Sequence, residues 1–430
     1  MGLHISKTKH NINSTLQNPH IMEVQGGDIS PSRYFPRKTK KSSLNLNIIH
    51  DYQYKYVRKL GPFNQILHAT IYKDKESKSR MKSIARLFPN LRETQIIAET
   101  LKSSKKDFKD LLSELSQLTS FKLDVHTCNL SENSGGIVFN VISRMKNLEK
   151  LSLNFVQINT NTSRLKNISS CLRSLRKLKI VHLNFSSART ILDETIKSLV
   201  YDLSQLKNLE EVQIIWPRNF STSSVTLNSC FKAFEKLNNV KKLSIIFNSE
   251  MNVDDTSLKV FSQSLSSMTK LQFLQIHLPV DSNLNPKNYS VVMSALGSLS
   301  NLKNLVLRVH SKIGNSGLDE FEKSVNGLRS LTSIDISLDS DIKKERESFF
   351  KSLQRLPTLN HFGIIQAKPD DFEISSFSNG ISSLSRLRSL KVWLSENFPV
   401  SSQSINLLNT HLQSLTNLEH LEIRYPILRE

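Results

Sequence analysis

A chain of 430 residues with 58 Lys and Arg against 38 Asp and Glu carries a formal charge of +20, and 38% of its residues are hydrophobic. Cys128, Cys171 and Cys230 are too few and too separated for a disulfide frame or a zinc site, and no apolar run has membrane-spanning length or the form of a signal-peptide core. The expectation is a reduced, cytoplasmic and not secreted protein. The first 86 residues hold 16 basic and 5 acidic side chains, net +11, so the charge is densest at the N-terminus.

Residues 1–58 are rich in Ser, Asn and Lys and show no sustained apolar period, which predicts a basic, largely disordered tail. Arg37, Lys38, Lys40 and Lys41 form a short basic cluster within it. Met1-Gly2-Leu3-His4-Ile5-Ser6 fits the N-myristoylation pattern, with Lys7 and Lys9 directly after it. One acyl chain binds membrane only marginally, and a basic cluster is the usual second contribution. Acylation at Gly2 and an anionic membrane surface as the tail's partner are therefore expectations, beside a plain solvated tail or a localisation signal.

Residues 59–86 admit three readings: an N-terminal cap over the first repeat, a degenerate F-box helix, or a remnant of a kinase glycine-rich loop. Leu60-Gly61 and Phe63-Asn64-Gln65-Ile66 suggest the last. Its second glycine is missing, and neither His-Arg-Asp nor Asp-Phe-Gly follows downstream. Pro62 and Ile66-Leu67 suggest the F-box, without its later tryptophan.

From residue 87 to 430 one unit recurs. Its fullest copy spans Leu296–Leu338: Leu296, Leu299, Leu302, Leu305, Leu307 and Val309 give a strand motif. Gly314 to Gly317 turn the chain, Leu318, Phe321 and Val325 follow at helical spacing, and Leu328, Leu331, Ile334, Ile336 and Leu338 begin again. The residues that open each motif are Phe88, Leu115, Met145, Leu175, Leu206, Leu237, Met268, Leu299, Leu328, Leu356, Leu384 and Leu415, twelve copies separated by 27 to 31 residues. A strand-turn-helix unit cannot bury its own apolar edge and is stable only when copies stack. Helix starts are marked at Asp254-Asp255-Thr256-Ser257 and Ser401-Ser402, and Leu258, Phe261 and Leu265 should face the strands.

This pattern resembles the leucine-rich repeat, and within that family the ribonuclease-inhibitor-like subtype. The resemblance implies an α/β solenoid of about 12 repeats, with a curved parallel sheet on the concave side and helices on the convex side. The Asn or Cys expected just after each strand is mostly missing, since positions such as His126, Val156, Pro217, Pro279 and Ala367 stand there. Buried turn backbone must then find other partners.

Alternate strand residues should point away from the core. The outward pairs run from Lys122/Asp124 through Gln213/Ile215, Ser244/Ile246, Gln275/His277, Val306/Arg308, Asp335/Ser337, Gly363/Ile365 and Lys391/Trp393 to Glu422/Arg424. Ile215 beside Ile246, and Ile365 beside Trp393, are adjacent apolar pairs on a polar wall, which suggests binding. Ile215, Ile246, His277, Arg308, Ile365, Trp393 and Arg424 are the candidate partner-binding residues. Trp216 falls at an inward position and reads as core.

No phosphate-binding glycine loop, metal-spaced histidine pair or Gly-x-Ser-x-Gly elbow is present. The expectation is a non-enzymatic scaffold without cofactor or metal, holding a protein partner on the concave face. The wall carries mixed charge with little basic and aromatic interleaving, so nucleic acid is not expected there. The rivals are an F-box-like ubiquitin-ligase substrate adaptor and a membrane or RNA tether acting through the tail. The last motif, Leu415 to Tyr425, leaves only residues 426–430 after it, which predicts an uncapped end open to self-association.

Overall fold

The computed structural model describes residues 90–100, 115–127, 132–155, 166–186, 193–217, 222–247, 253–278, 286–309, 314–338, 344–366, 370–382, 384–394 and 401–424, together with strands at 21–22, 44–50 and 66–73. Fifteen strands form one parallel sheet in simple chain order. They are β1 (Ile21–Met22), β2 (Leu44–His50), β3 (Ile66–Lys73), β4 (Glu93–Thr100), β5 (Ser120–Thr127), β6 (Lys150–Phe155), β7 (Ile180–Asn184) and β8 (Glu211–Ile215). The series continues with β9 (Lys242–Ile246), β10 (Phe273–Leu278), β11 (Asn304–Val309), β12 (Ser333–Leu338), β13 (His361–Gln366), β14 (Ser389–Leu394) and β15 (His420–Arg424). From β5 onward each crossover carries one described helix: α1 (Glu132–Ile142), α2 (Lys166–Ser174), α3 (Asp193–Ser204), α4 (Ser224–Phe234), α5 (Asp255–Ser267), α6 (Pro286–Leu296), α7 (Gly314–Ser324), α8 (Lys344–Leu353), α9 (Asp371–Ser382) and α10 (Ser402–Gln413).

The result is a leucine-rich-repeat-like α/β solenoid. Parallel sheets are usually covered on both faces. Here residues in β7, β8 and β10 alternate between buried, on the face packed on helices, and half-buried, on a face that carries none of the described helices. Helix axes need about 8–10 Å of separation and strands about 4.8 Å, so stacking both layers in register bends the sheet with its clear face inside.

The leucine spacing explains the core. Leu299, Leu302, Leu305 and Leu307 are wholly buried, as are Leu258, Phe261 and Leu265 on the inner stripe of α5. Trp216 stacks on Phe247 with centroids 6.3 Å apart, and Phe231 links Phe247 to Phe261 at 5.9 and 4.8 Å. Gly327, after α7, passes so close to the backbone of Gly297, after α6, that any side chain there would overlap it.

Polar side chains tie each repeat to the next. Asp254 caps α5 by accepting from the Ser257 amide at 2.7 Å, and Ser401 caps α10 through Ser404. Asp193, opening α3, reaches the start of α4 and accepts from Thr222 Oγ1 at 2.6 Å, the Ser223 amide at 3.0 Å, Ser223 Oγ at 2.7 Å and Thr226 Oγ1 at 3.0 Å. The missing post-strand asparagines have a counterpart at the opposite strand end. In the helix-to-strand turns Asn208, Asn239, Asn301 and Asn417 donate to the carbonyls of Arg176, Lys207, Thr269 and Ser385 of the preceding repeat, at 2.7–3.0 Å.

The sheet starts before residue 87. β1 and β2 lie in the stretch expected as tail, and β3, in the stretch with three open readings, pairs with β4. A strand at Ile66–Lys73 is not the helix that an F-box reading places there. Leu44, Leu46 and Ile48 do alternate with polar residues, but over too short a run to register as a strand against their polar surroundings.

Candidate functional site on the helix-free face

Three outward rows cross the helix-free face, at the first, third and fifth strand positions. The pairing register sets Ile215 beside Ile246, then His277, Arg308, Ser337, Ile365, Trp393 and Arg424, one per strand from β8 to β15. All seven candidate partner-binding residues thus occupy the fifth-position row, with Ser337 the intervening member. Ile215, Ile246, His277, Arg308, Ile365 and Trp393 are half-buried. Gly2 lies outside the described residues.

The first-position row was not among the expected site residues. It runs through Ile180, Glu211, Lys242 and Phe273, and the last three, with His182, Val212, Gln213, Ser244 and Gln275, line a groove of about 240 Å³. His182 Nε2 lies 2.7 Å from Glu211 Oε1, and Lys242 Nζ lies 3.2 Å from Glu211 Oε2. Burial pushes the Glu211 carboxyl up, but the hydrogen bonds and charges of His182 and Lys242 outweigh it and hold the group below its ordinary value. Just outside, Lys179 pairs with Glu149 at 2.9 Å and Lys241 with Glu210 at 2.8 Å. The signal for this row was in the sequence: Glu149, Lys179, Glu210 and Lys241 alternate in sign at one repeat position, with Glu211 and Lys242 beside them.

Further along, His361 Nδ1 lies 2.8 Å from Ser389 Oγ and its Nε2 3.4 Å from Asp335 Oδ1. These are the residue types of a hydrolytic triad. The amides of β13 are spent in ladders with β12 and β14, so none is left to stabilise an oxyanion. The trio acts as a cross-strand polar bridge. Burial raises the Asp335 carboxyl, and the His361 hydrogen bond with the charges of His361, Arg308 and Lys391 brings it below its ordinary value. Burial pulls the Arg308 guanidinium down, opposed by the charge of Asp335.

Among the described residues no group of three His, Cys, Asp or Glu could hold a metal ion. Cys171 and Cys230 are buried, and desolvation pushes both thiols up to about 12, so neither supplies a thiolate. No helix among the described residues is long and apolar enough to cross a membrane.

No family model matches the chain. It is 24% identical over 169 residues to the mouse NLR family CARD domain-containing protein 4, a match covering 39% of this chain and 16% of that protein. Among solved structures, Rad7 in the yeast Rad7–Elc1 complex aligns with a TM-score of 0.50 at 16% identity, covering 83% of this chain and 81% of the other, which supports the fold. TLR13 in its complex with ssRNA13 aligns with a TM-score of 0.43 at 14% identity over 85% of this chain and 48% of its own. The Drosophila Toll–Spatzle structure gives 0.35 at 11%, over 88% and 54%. The chain spans about a sixth of the curated relative and about half of TLR13. One expectation is corrected here. Solenoids of this kind have been solved with RNA as well as with proteins, so the mixed charge of the face does not set nucleic acid aside as a partner class.

Proposed function

We propose that the chain is a non-enzymatic protein-binding scaffold that receives its partner on the helix-free face, and that its repeats are of the ribonuclease-inhibitor-like subtype. Full helices of 9 to 13 residues between strands support the subtype. The observation that carries the function is the fifth-position row, where Ile215 adjoins Ile246 and Ile365 adjoins Trp393, all half-buried, on a parallel sheet face that the helices leave clear. The N-terminal segment sets location, through acylation at Gly2 and the basic residues Lys7, Lys9 and Arg37 to Lys41.

Affinity purification tests the reading with four baits: the full chain, the chain lacking residues 1–58, Ile365→Asp and Trp393→Ala. Proteins recovered by the full chain should disappear with both point variants while the variants melt as the parent does. Equal recovery by all four would place the binding surface elsewhere, and loss only with the truncation would assign binding to the tail.

A further inference from the structure

We infer that Arg308 anchors a carboxylate carried by an extended, otherwise apolar segment of the partner lying across β9 to β13. The inference rests on the scaffold reading above and names the chemistry of the partner it requires. Arg308 is half-buried in the middle of the fifth-position row, and its Nη1 is fully buried yet makes no hydrogen bond. Its neighbours in the row are His277 on β10 and Ser337 on β12. Two carboxylates on the same face have partners within the fold, Glu211 in His182 and Lys242 and Asp335 in His361, and Asp335 also acts on Arg308 through its charge. The groove around Glu211 is the other candidate, but its charges already neutralise each other and offer a ligand little.

A desolvated guanidinium lacking a partner for one nitrogen raises the free energy of the unbound protein, and a carboxylate arriving at the exposed part of the side chain recovers it once the guanidinium turns to bring Nη1 into the pair. Its planar fork matches a carboxylate in two parallel hydrogen bonds, a geometry that an ammonium cannot reproduce. The flanks specify the rest. Ile246 lies two strands before Arg308 and Ile365 two strands after it, about 10 Å each way at the usual strand spacing. A segment in the polyproline-II conformation advances about 3.1 Å per residue with three residues per turn, so every third side chain faces the wall and meets these positions. The complementary sequence is apolar-x-x-acidic-x-x-apolar. A helix would need about seven residues for each step and would turn intervening side chains onto the same wall.

Selection of a displayed library of random linear peptides on the full chain tests this. The enriched peptides should carry Asp or Glu with apolar residues three positions to each side. Their binding should fall roughly thirtyfold or more with Arg308→Ala and stay low with Arg308→Lys, as loss of a buried charge-assisted pair requires. Arg308→Ala should melt no lower than the parent, and a lower melt would make the residue structural. Peptides lacking an acidic residue, or indifferent to Arg308→Ala but lost with Ile365→Asp, would overturn the anchor and keep the face. Peptides indifferent to both variants, or no enrichment, would count against the face as well. Single-stranded RNA of mixed sequence, bound by the parent and released by Arg308→Ala, would reassign the guanidinium to phosphate.

Discussion

Gly363 and Asp335 share one space on the helix-free face: a β-carbon at 363 would overlap the Asp335 carboxylate, which lies over the glycine on its way to His361. The obstacle is a side chain on the adjacent strand, so it can be removed by mutation. Gly363→Ala alone should cost roughly 1–3 kcal/mol by forcing the carboxylate aside. In an Asp335→Ala background the same change should be neutral or stabilise by up to about 1 kcal/mol, because alanine restricts the unfolded chain. Urea unfolding of the four chains closes the cycle. Additive effects would show that the two residues do not compete.

How much of this was legible in the sequence follows from how far apart the interacting residues lie. Strand register was legible because Leu305 and Leu307, or Ile334 and Ile336, declare the inward face locally, and pairing between copies then follows from the repeat. The fifth-position row came with it. The Asp335–Gly363 relationship was not legible, because a glycine in a strand announces only that something comes close, and here that is a side chain one repeat earlier. The first-position row was legible only in part: Glu149, Lys179, Glu210 and Lys241 alternate in sign from repeat to repeat, but Glu211 and Lys242 look like solvated turn residues until stacking sets them side by side. The asparagines were expected after the strands. At the helix-to-strand turn, Asn208 and its equivalents meet the preceding repeat's carbonyls, and no local spacing signals that contact.

The inward assignment makes a contrast in stability. Leu307 is wholly buried between β11's neighbours and the helices, whereas Leu421, on the last described strand, is 50% exposed. Leu307→Ala should cost about 2–5 kcal/mol, because it removes packed methylenes and leaves a cavity. Leu421→Ala should cost about 1 kcal/mol or less. Thermal melts that rank the two equally would contradict the register.

Acid sensitivity should trace partly to Asp193. Burial raises its carboxyl, but hydrogen bonds from Thr222, the Ser223 hydroxyl and amide, and Thr226 prevail and hold it below the ordinary aspartate value of 3.8. A depressed folded value contributes stability above the unfolded value and loses it as pH falls through the folded one. Asp193→Asn should therefore lower stability at pH 7 by about 1 kcal/mol, the usual size of a helix-cap loss. The gap between parent and variant should narrow as pH falls below 3.8. Urea midpoints measured stepwise in pH check it, and a constant gap would mean that the ionised carboxylate is not what holds the start of α4.

The Gly2 reading makes a chemical prediction. If Gly2, Ser6 and Lys7 form a working acylation signal, intact-mass analysis of the native N-terminus should show loss of Met1 and the added mass of a myristoyl chain. Binding to anionic vesicles should then also require the cluster from Arg37 to Lys41, since one chain alone gives marginal attachment. Acetyl-Met or free Gly at the terminus would end the proposal, with no consequence for the solenoid face.

The two tryptophans separate core from surface in one measurement. Trp216 is 1% exposed and stacked on Phe247, whereas Trp393 is half-buried in the outward row beside Ile365. In single-tryptophan variants, acrylamide should quench the chain retaining Trp393 more strongly than the one retaining Trp216. A ligand on the helix-free face should shift the emission of the first and leave the second unchanged. Trp and Arg dominate the energy of protein interfaces when they sit in the desolvated centre of the contact. Trp393→Ala should accordingly weaken binding by about 2 kcal/mol or more, with the melting temperature held, because the side chain lies outside the layer between sheet and helices. Unfolding on truncation would move Trp393 into the core's account, and unchanged affinity would move the contact toward Ile215 and Ile246, where the same row offers its other apolar pair.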